Sequence, residues 1–352
     1  MQRKIKITVS LVASILLITL FLTLATLIVT PKSNNPPERG LIGEYYDEIK
    51  EGNTHQVLFI GDCEVYESFI PPALYEEYGI TSYVRGSAQQ LIWQSYYLLE
   101  EVFEYESPDV VVFNVLSMKY GEEQKDDPKR EEYNRMTLDS MKTSLIKHNA
   151  IKASMTDEES ILSYYFPLLR YHQRWKGDLT VDDFKYMFGT ENATHNGYLM
   201  QVAIDPKTDN LAGRPLSNYE LPDICFDYLD KMKALCEKNG AELILIKAPT
   251  NIRGYWWYDE WNEQIVDYAI ENSLMYYNFI GNESIGIDWS TDTYDKGMHL
   301  NVFGAEKMTS YFGMILAHKH GIQSQKGNDR IDAIWNEKYN KYVSQKNELT
   351  SK

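Results

Sequence analysis

Apolar residues in this chain fall into three kinds of run, and each predicts a different element. The first is a charge-free stretch over residues 7–30, rich in Leu, Ile, Val and Thr. At about 1.5 Å per residue, a helix of that length reaches roughly 36 Å, enough to cross a bilayer's hydrocarbon core with some tilt. The second kind is short and continuous, over 57–60, 81–84, 110–113, 243–246 and 275–279. Such runs, rich in β-branched residues, predict strands covered on both faces, as in a parallel sheet. The third kind repeats at helical spacing over 71–77, 88–105, 228–238, 261–272 and 304–317. Within 88–105 the apolar positions are Leu91, Tyr97, Leu98 and Val102, and Asn239-Gly240 closes the helix over 228–238. Strands alternating with helices predict one α/β domain built as a three-layer αβα sandwich.

The same pattern divides the chain. Residues 1–6 form a short basic N-terminus, 7–30 a transmembrane anchor, 31–50 a linker and 51–320 the α/β domain. Residues 119–218 interrupt the alternation with a charged run (122–132), an aromatic cluster (Tyr164, Tyr165, Phe166, Tyr171, Trp175) and Gly/Asn/Pro-rich turns. They predict a largely helical insertion over the C-terminal edge of the sheet, serving as a lid or substrate wall or as structural padding. Residues 321–352 carry Ile331, Ile334, Trp335, Tyr339 and Tyr342 at helical spacing, which fits a docked terminal helix or a frayed tail.

Arg3, Lys4 and Lys6 precede the apolar run, so the N-terminus is expected inside and the main domain outside the cell membrane. A cleaved signal peptide is the competing reading. No small-x-small site precedes Pro31, and no cysteine follows the run to take a lipid, which favours an uncleaved anchor.

Charge narrows the partners. With 51 acidic against 35 basic residues the net charge is −16, which argues against nucleic acid and against a basic patch on anionic lipid. The 27 tyrosines suit carbohydrate-facing surfaces or an amphipathic core and rim. Three cysteines exclude a dense disulfide framework. Cys225 and Cys236 lie about 16 Å apart along one predicted helix, too far to bridge, and are expected in the core. An exported chain of this kind fits a bacterial cell envelope.

Two distant segments carry the candidate chemistry. Gly61-Asp62-Cys63 follows the first predicted strand, placing a thiol where a nucleophile would stand at the sheet's C-terminal edge. A lone Cys at a strand end is also a common core residue. His299 lies in an Asp-rich turn with Asp288, Asp292 and Asp295, just before a closing helix. An acid orienting an imidazole that deprotonates a nucleophile is the general triad arrangement. His148, His172 and His195 are scattered through the insertion, and His318 with His320 forms a terminal pair suited only to weak metal binding.

Gly61-Asp62-Cys63 resembles the first sequence block of the SGNH/GDSL hydrolases, with Cys where that family carries Ser. Asp295 to Asn301 resembles its last block, and Gly86 the second-block glycine whose N–H serves the oxyanion hole. The resemblance implies a flavodoxin-like parallel sheet and an oxyanion hole made by Cys63, Gly86 and the amide of Asn114, with Ser117 as the second choice to Asn114. Asn114 follows the third strand in a turn that matches the third block poorly. The family's acid stands three residues before the His, where this chain has Lys296, so Asp295 at four and Asp292 at seven both remain open. The anchored arrangement is also similar to the branch that acylates surface polymers, including the D-alanyl transfer and alginate acetylation proteins. That implies a membrane-bound O-acyltransferase as partner, a surface glycan or polymer as substrate, and no metal or organic cofactor. The expectation is therefore an extracytoplasmic acyl esterase or O-acyltransferase using Cys63, His299 and Asp295 or Asp292. The alternative is a catalytically inactive SGNH fold that binds a glycan or scaffolds the acyltransferase.

Overall fold

The computed structural model describes residues 2–32, 41–187, 193–206, 215–251 and 256–351. In chain order the first elements are α1 (Gln2–Val29), α2 (Tyr45–Lys50), β1 (Val57–Gly61), α3 (Cys63–Ser68), α4 (Pro71–Tyr78) and β2 (Ser82–Gly86). Next come α5 (Ile92–Val102), β3 (Val110–Asn114), α6 (Arg130–Leu138), α7 (Leu145–Ser154), α8 (Ile161–Tyr165), α9 (Leu168–Tyr171) and α10 (Val181–Lys185). The chain closes with α11 (Asp223–Asn239), β4 (Glu242–Lys247), α12 (Asp259–Glu271), β5 (Met275–Asn278), α13 (Val302–His318) and α14 (Asp329–Thr350).

The five strands form one parallel sheet in the order β2-β1-β3-β4-β5. Successive side chains on a strand point to opposite faces, so each continuous apolar run supplies both layers. Val57, Phe59, Val110, Val112, Ile244 and Ile246 meet α3, α4 and α13 on one face. Leu58, Ile60, Val111, Phe113, Leu243 and Leu245 meet α5, α7, α11 and α12 on the other. This is the three-layer αβα arrangement with flavodoxin-like strand order. Cys225 and Cys236 are free thiols buried in α11's core face.

Two stretches depart from the sequence expectation, and a third settles between its two alternatives. The helix expected from residue 88 begins at Ile92, because residues 87–91 form a turn closed by Leu91 N donating to Gln94 Oε1 at 2.9 Å. The linker expected over 31–50 gives way to packed chain at Leu41. Leu41, Ile42 and Tyr45 are fully buried, and Glu44 accepts from the Ala193 amide at 2.7 Å. The rest of that expected spacer, residues 33–40, lies outside the described residues. The C-terminal segment forms the docked helix α14, with Trp335 stacked on Tyr75 of α4 at 5.2 Å and Tyr342 buried.

The insertion has two limbs. In the first, α6 packs on the turn after β2: Arg130 donates to the Gln89 carbonyl at 2.8 Å, and Gln94 donates to Asn134 at 2.9 Å. The second limb, residues 193–206, runs along the free edge of β2, where the Val84 amide donates to the Asn196 carbonyl at 3.0 Å. That limb then clamps the segment before α13: Val302 N donates to Gln201 O at 2.7 Å, and Lys296 N to Asp205 O at 2.8 Å. Residues 188–192 and 207–214 of the expected insertion lie outside the described residues.

Candidate active site

In this strand order, chain connections leave β1 in opposite directions, so a crevice opens between the C-terminal ends of β1 and β3. Cys63 stands immediately beyond β1, and Asn114 ends β3. Gly86 ends β2 in register with Gly61, where a Cβ would meet the Gly61 carbonyl at 2.8 Å, so only glycine lets the two strand ends close this tightly. Asp62 caps α3, its Oδ1 accepting from the Glu64 amide at 3.2 Å.

The tertiary fold brings Cys63 and His299 together: Sγ lies 3.1 Å from His299 Nε2. Asp295 holds the other side of the ring, with Oδ2 2.6 Å from Nδ1 and Oδ1 accepting the His299 backbone N–H at 2.8 Å. This doubled grip depends on a local coil. Lys296 (φ +64°) and Gly297 (φ +88°) are both left-handed, which turns the chain back so that an acid four residues upstream reaches the ring. Asn301 then caps α13, accepting from Phe303 N at 3.1 Å and Gly304 N at 3.3 Å. Its Nδ2 donates to the Thr291 and Ala203 carbonyls at 2.8 and 3.0 Å, fixing the turn to the insertion's second limb.

Asp292, the other acid the sequence left open, points elsewhere. Its carboxylate accepts from the Asp288 amide (2.8 Å), the Lys307 ammonium (2.6 Å) and the Thr291 hydroxyl (3.0 Å), bracing the turn instead of the imidazole. Only one carboxylate can occupy the hydrogen-bonding position on Nδ1, and the coil at 296–297 gives it to Asp295.

Asn114 also departs from expectation. Its amide hydrogens go to Asp62 Oδ1 at 3.1 Å and Glu64 Oε2 at 2.8 Å, and its carbonyl oxygen accepts from the Ala248 amide at 3.0 Å. Two buried carboxylates claim both donors, so the side chain has none left for an oxyanion. Ser117, the second choice, is fully buried, and its hydroxyl has no hydrogen-bond partner among the described residues.

The structure adds residues that sequence reading missed. Glu67 Oε2 lies 3.5 Å from His299 Nδ1, and Glu67 Oε1 accepts from the Tyr294 hydroxyl at 2.6 Å. The spacing Cys63-x-x-x-Glu67, one helical turn, was the available signal. Beneath the site Lys247 bonds both oxygens of Glu64 at 2.7 and 2.8 Å, and Trp256 Nε1 donates to Glu64 Oε1 at 2.7 Å. A lysine directly after the apolar run 243–246 was the mark of this buried ion pair. Trp256 meets the His299 ring edge-on at 5.8 Å, and Tyr294 stacks on it at 6.1 Å.

Electrostatics follow from this packing. Burial pushes the Cys63 thiol up to about 11, with His299 pulling the other way. Burial also disfavours a charged His299, but Glu67, the Cys63 sulfur and Asp295 outweigh it and hold the imidazole well above the usual histidine range. Burial and the neighbouring Glu64 raise the Asp62 carboxyl to about 7. Only 8 % of Cys63 is exposed.

His195 and His320 are engaged elsewhere. His195 bonds Gln345 of α14, and His320 is shared between Glu242 and Tyr277, both at 2.9 Å. Among the described residues no cluster of His, Cys, Asp and Glu could hold a metal ion.

No family model matches the chain, and no curated protein matches it. Among solved structures it is similar to a GDSL-like lipase from Bacteroides thetaiotaomicron, with 13% sequence identity and a TM-score of 0.37, over 79% of this chain and 97% of that one. Among the described residues one helix, over Lys4–Val29, is long and apolar enough to cross a membrane, and it is almost wholly exposed over most of its length.

Proposed function

We propose that this chain is an SGNH-like acyl esterase or O-acyltransferase, anchored by α1 with its main domain extracytoplasmic, acting on a cell-surface polysaccharide or polymer. One observation carries the reading. A thiol, an imidazole and a carboxylate from two segments more than 230 residues apart line up at 3.1 and 2.6 Å above the sheet's switch point. Polar side chains aligned in this order can transfer a proton, and a merely structural cysteine does not require them.

In this mechanism neutral His299 takes the thiol proton as Cys63 Sγ attacks the acyl carbonyl, forming a tetrahedral oxyanion. The amides of Cys63 and Gly86 are its donors, since Asn114 is engaged below. As the C–O bond breaks, the imidazolium returns the proton to the leaving oxygen, giving a thioester on Cys63. Water or a glycan hydroxyl, deprotonated by His299, then releases the acyl group and regenerates the thiol. A membrane-bound O-acyltransferase is the partner such a transfer would use.

The test is covalent capture: an activated acyl ester should form a thioester on Cys63 detectable by mass spectrometry in the full-length protein. No acylation of the parent chain, with His299→Ala unchanged in every respect, overturns the mechanism. The inactive binding or scaffold reading is favoured by a different observation, the occupied Asn114 amide together with the raised Cys63 thiol. It predicts glycan or acyltransferase binding without any acylation.

A further inference from the structure

The insertion carries a large apolar surface that the core does not use. Phe166 (61% exposed), Leu169 (56%), Trp175 (68%), Val181 (80%) and Phe184 (54%) all stand outward on α8–α10 and the segments joining them. These are also the elements that hold the end of α1. α1 packs against α9, the single turn at 172–176 and α10. Burial of α1 begins at Leu24 and is complete at Val29, whose carbonyl accepts from Arg174 Nη1 at 2.7 Å. Arg174 is itself held by Asp183 of α10 at 2.9 Å, so helix end and insertion form one joint.

Length then fixes the depth of that joint. A hydrocarbon core about 30 Å thick takes about 20 helical residues. Counted from Lys6, these run out near Thr26, so residues 24–29 lie where the hydrocarbon meets the headgroups. Whatever grips them sits at that level. Arg170, Arg174 and Lys32 line a cavity of about 580 Å³ there, together with Leu27, Thr30, Tyr171 and the acidic Glu132, Asp139 and Asp178. Outward Trp, Phe and Leu mixed with Arg and Lys is the composition that settles in a bilayer's interfacial zone.

We infer that residues 161–186 are a membrane foot, with outward side chains resting among the lipids of the leaflet from which α1 emerges. This rests on the reading of α1 as a membrane span. It makes the main domain's orientation a property of the fold: the catalytic domain is held at a fixed attitude to the bilayer by two contacts, α1 and the foot, instead of swinging on a tether.

The experiment uses the full chain reconstituted in phosphatidylcholine–phosphatidylglycerol vesicles. An environment-sensitive dye is placed by Leu169→Cys, Phe184→Cys, Ile270→Cys on the outer face of α12, or Leu16→Cys within α1. The parent, whose three cysteines are buried, serves as the blank. Nitroxide lipids then report depth. Expected are loss of most emission at 169 and 184 with shallow nitroxides, loss at 16 with deep ones, and no loss at 270. A quenched probe at 16 with unquenched probes at 169 and 184 overturns the foot and leaves the anchor standing, giving that surface to a protein partner. An unquenched probe at 16 overturns both. Equal quenching at 169, 184 and 270 means general adsorption and also overturns the foot.

Discussion

The Tyr294 hydroxyl donates to Glu67 at 2.6 Å, and that bond holds a second carboxylate beside the His299 imidazole. Glu67 stands 3.5 Å from the same His299 nitrogen that Asp295 holds at 2.6 Å. Asp295 has the hydrogen-bonding geometry. Glu67 adds charge, and it is the strongest influence raising the imidazole's pKa against burial.

A pH profile should show this. The base must be neutral to act, so kcat/KM should rise with pH along a limb displaced to the alkaline side of an ordinary histidine, reporting the Cys63–His299 pair as a unit. Glu67→Gln removes a negative charge, disfavours the imidazolium and should move that limb to lower pH by about one unit or more. A limb that stays in place in Glu67→Gln would show that Glu67 does not set the base.

The two acids should separate cleanly. Asp295→Asn should cost several orders of magnitude in turnover, on the scale of about 10⁴ for a triad acid, because the amide stabilises the wrong tautomer. Asp292→Asn should lower the melting temperature by freeing the Lys307 brace, while turnover per folded molecule stays near the parent's. Steady-state kinetics beside thermal melts decide it, and equal losses of turnover would return Asp292 to the active site.

Beneath the site the Glu64–Lys247 pair is buried on both sides. Lys247→Met leaves the Glu64 charge without its cation and should cost about 3–5 kcal/mol of stability. Adding Glu64→Leu should recover part of that loss, since a paired apolar replacement removes the uncompensated charge. Denaturant unfolding of the two variants measures it; a double variant no more stable than the single one would contradict this account.

Acid should loosen the C-terminal helix. His195, bonded to Gln345 of α14, is buried and its pKa is lowered to about 4. A depressed imidazole contributes stability that is full above its unfolded value of 6.5 and is lost as pH falls towards 4. His195→Gln should therefore flatten the fall in melting temperature across that window. An unchanged slope would place the acid sensitivity elsewhere.

Much of this protein follows from local chemistry. Runs such as residues 57–60 and 110–113 are short, apolar at every position and bounded by polar residues or glycine, which predicts strands covered on both faces, and the alternation with helices predicts a layered α/β sheet. The charge-free stretch over 7–30 lies in a helix long and apolar enough to cross a membrane. Cys63 and His299 were legible because a strand end and an Asp-rich turn before a helix are local contexts. The choice among neighbours was not legible. Whether Asp292 or Asp295 meets the ring depends on the left-handed coil at 296–297, and Asn114 was drawn away by Asp62 and Glu64, whose burial no local pattern announces. Glu67 acquires meaning only once the turn carrying Tyr294 and His299 folds over α3, and Lys247 only once its ammonium reaches Glu64. Side-chain type fixes what a residue can do; the packed fold decides which partner reaches it first, because a buried donor satisfied by one carboxylate is no longer available to another group.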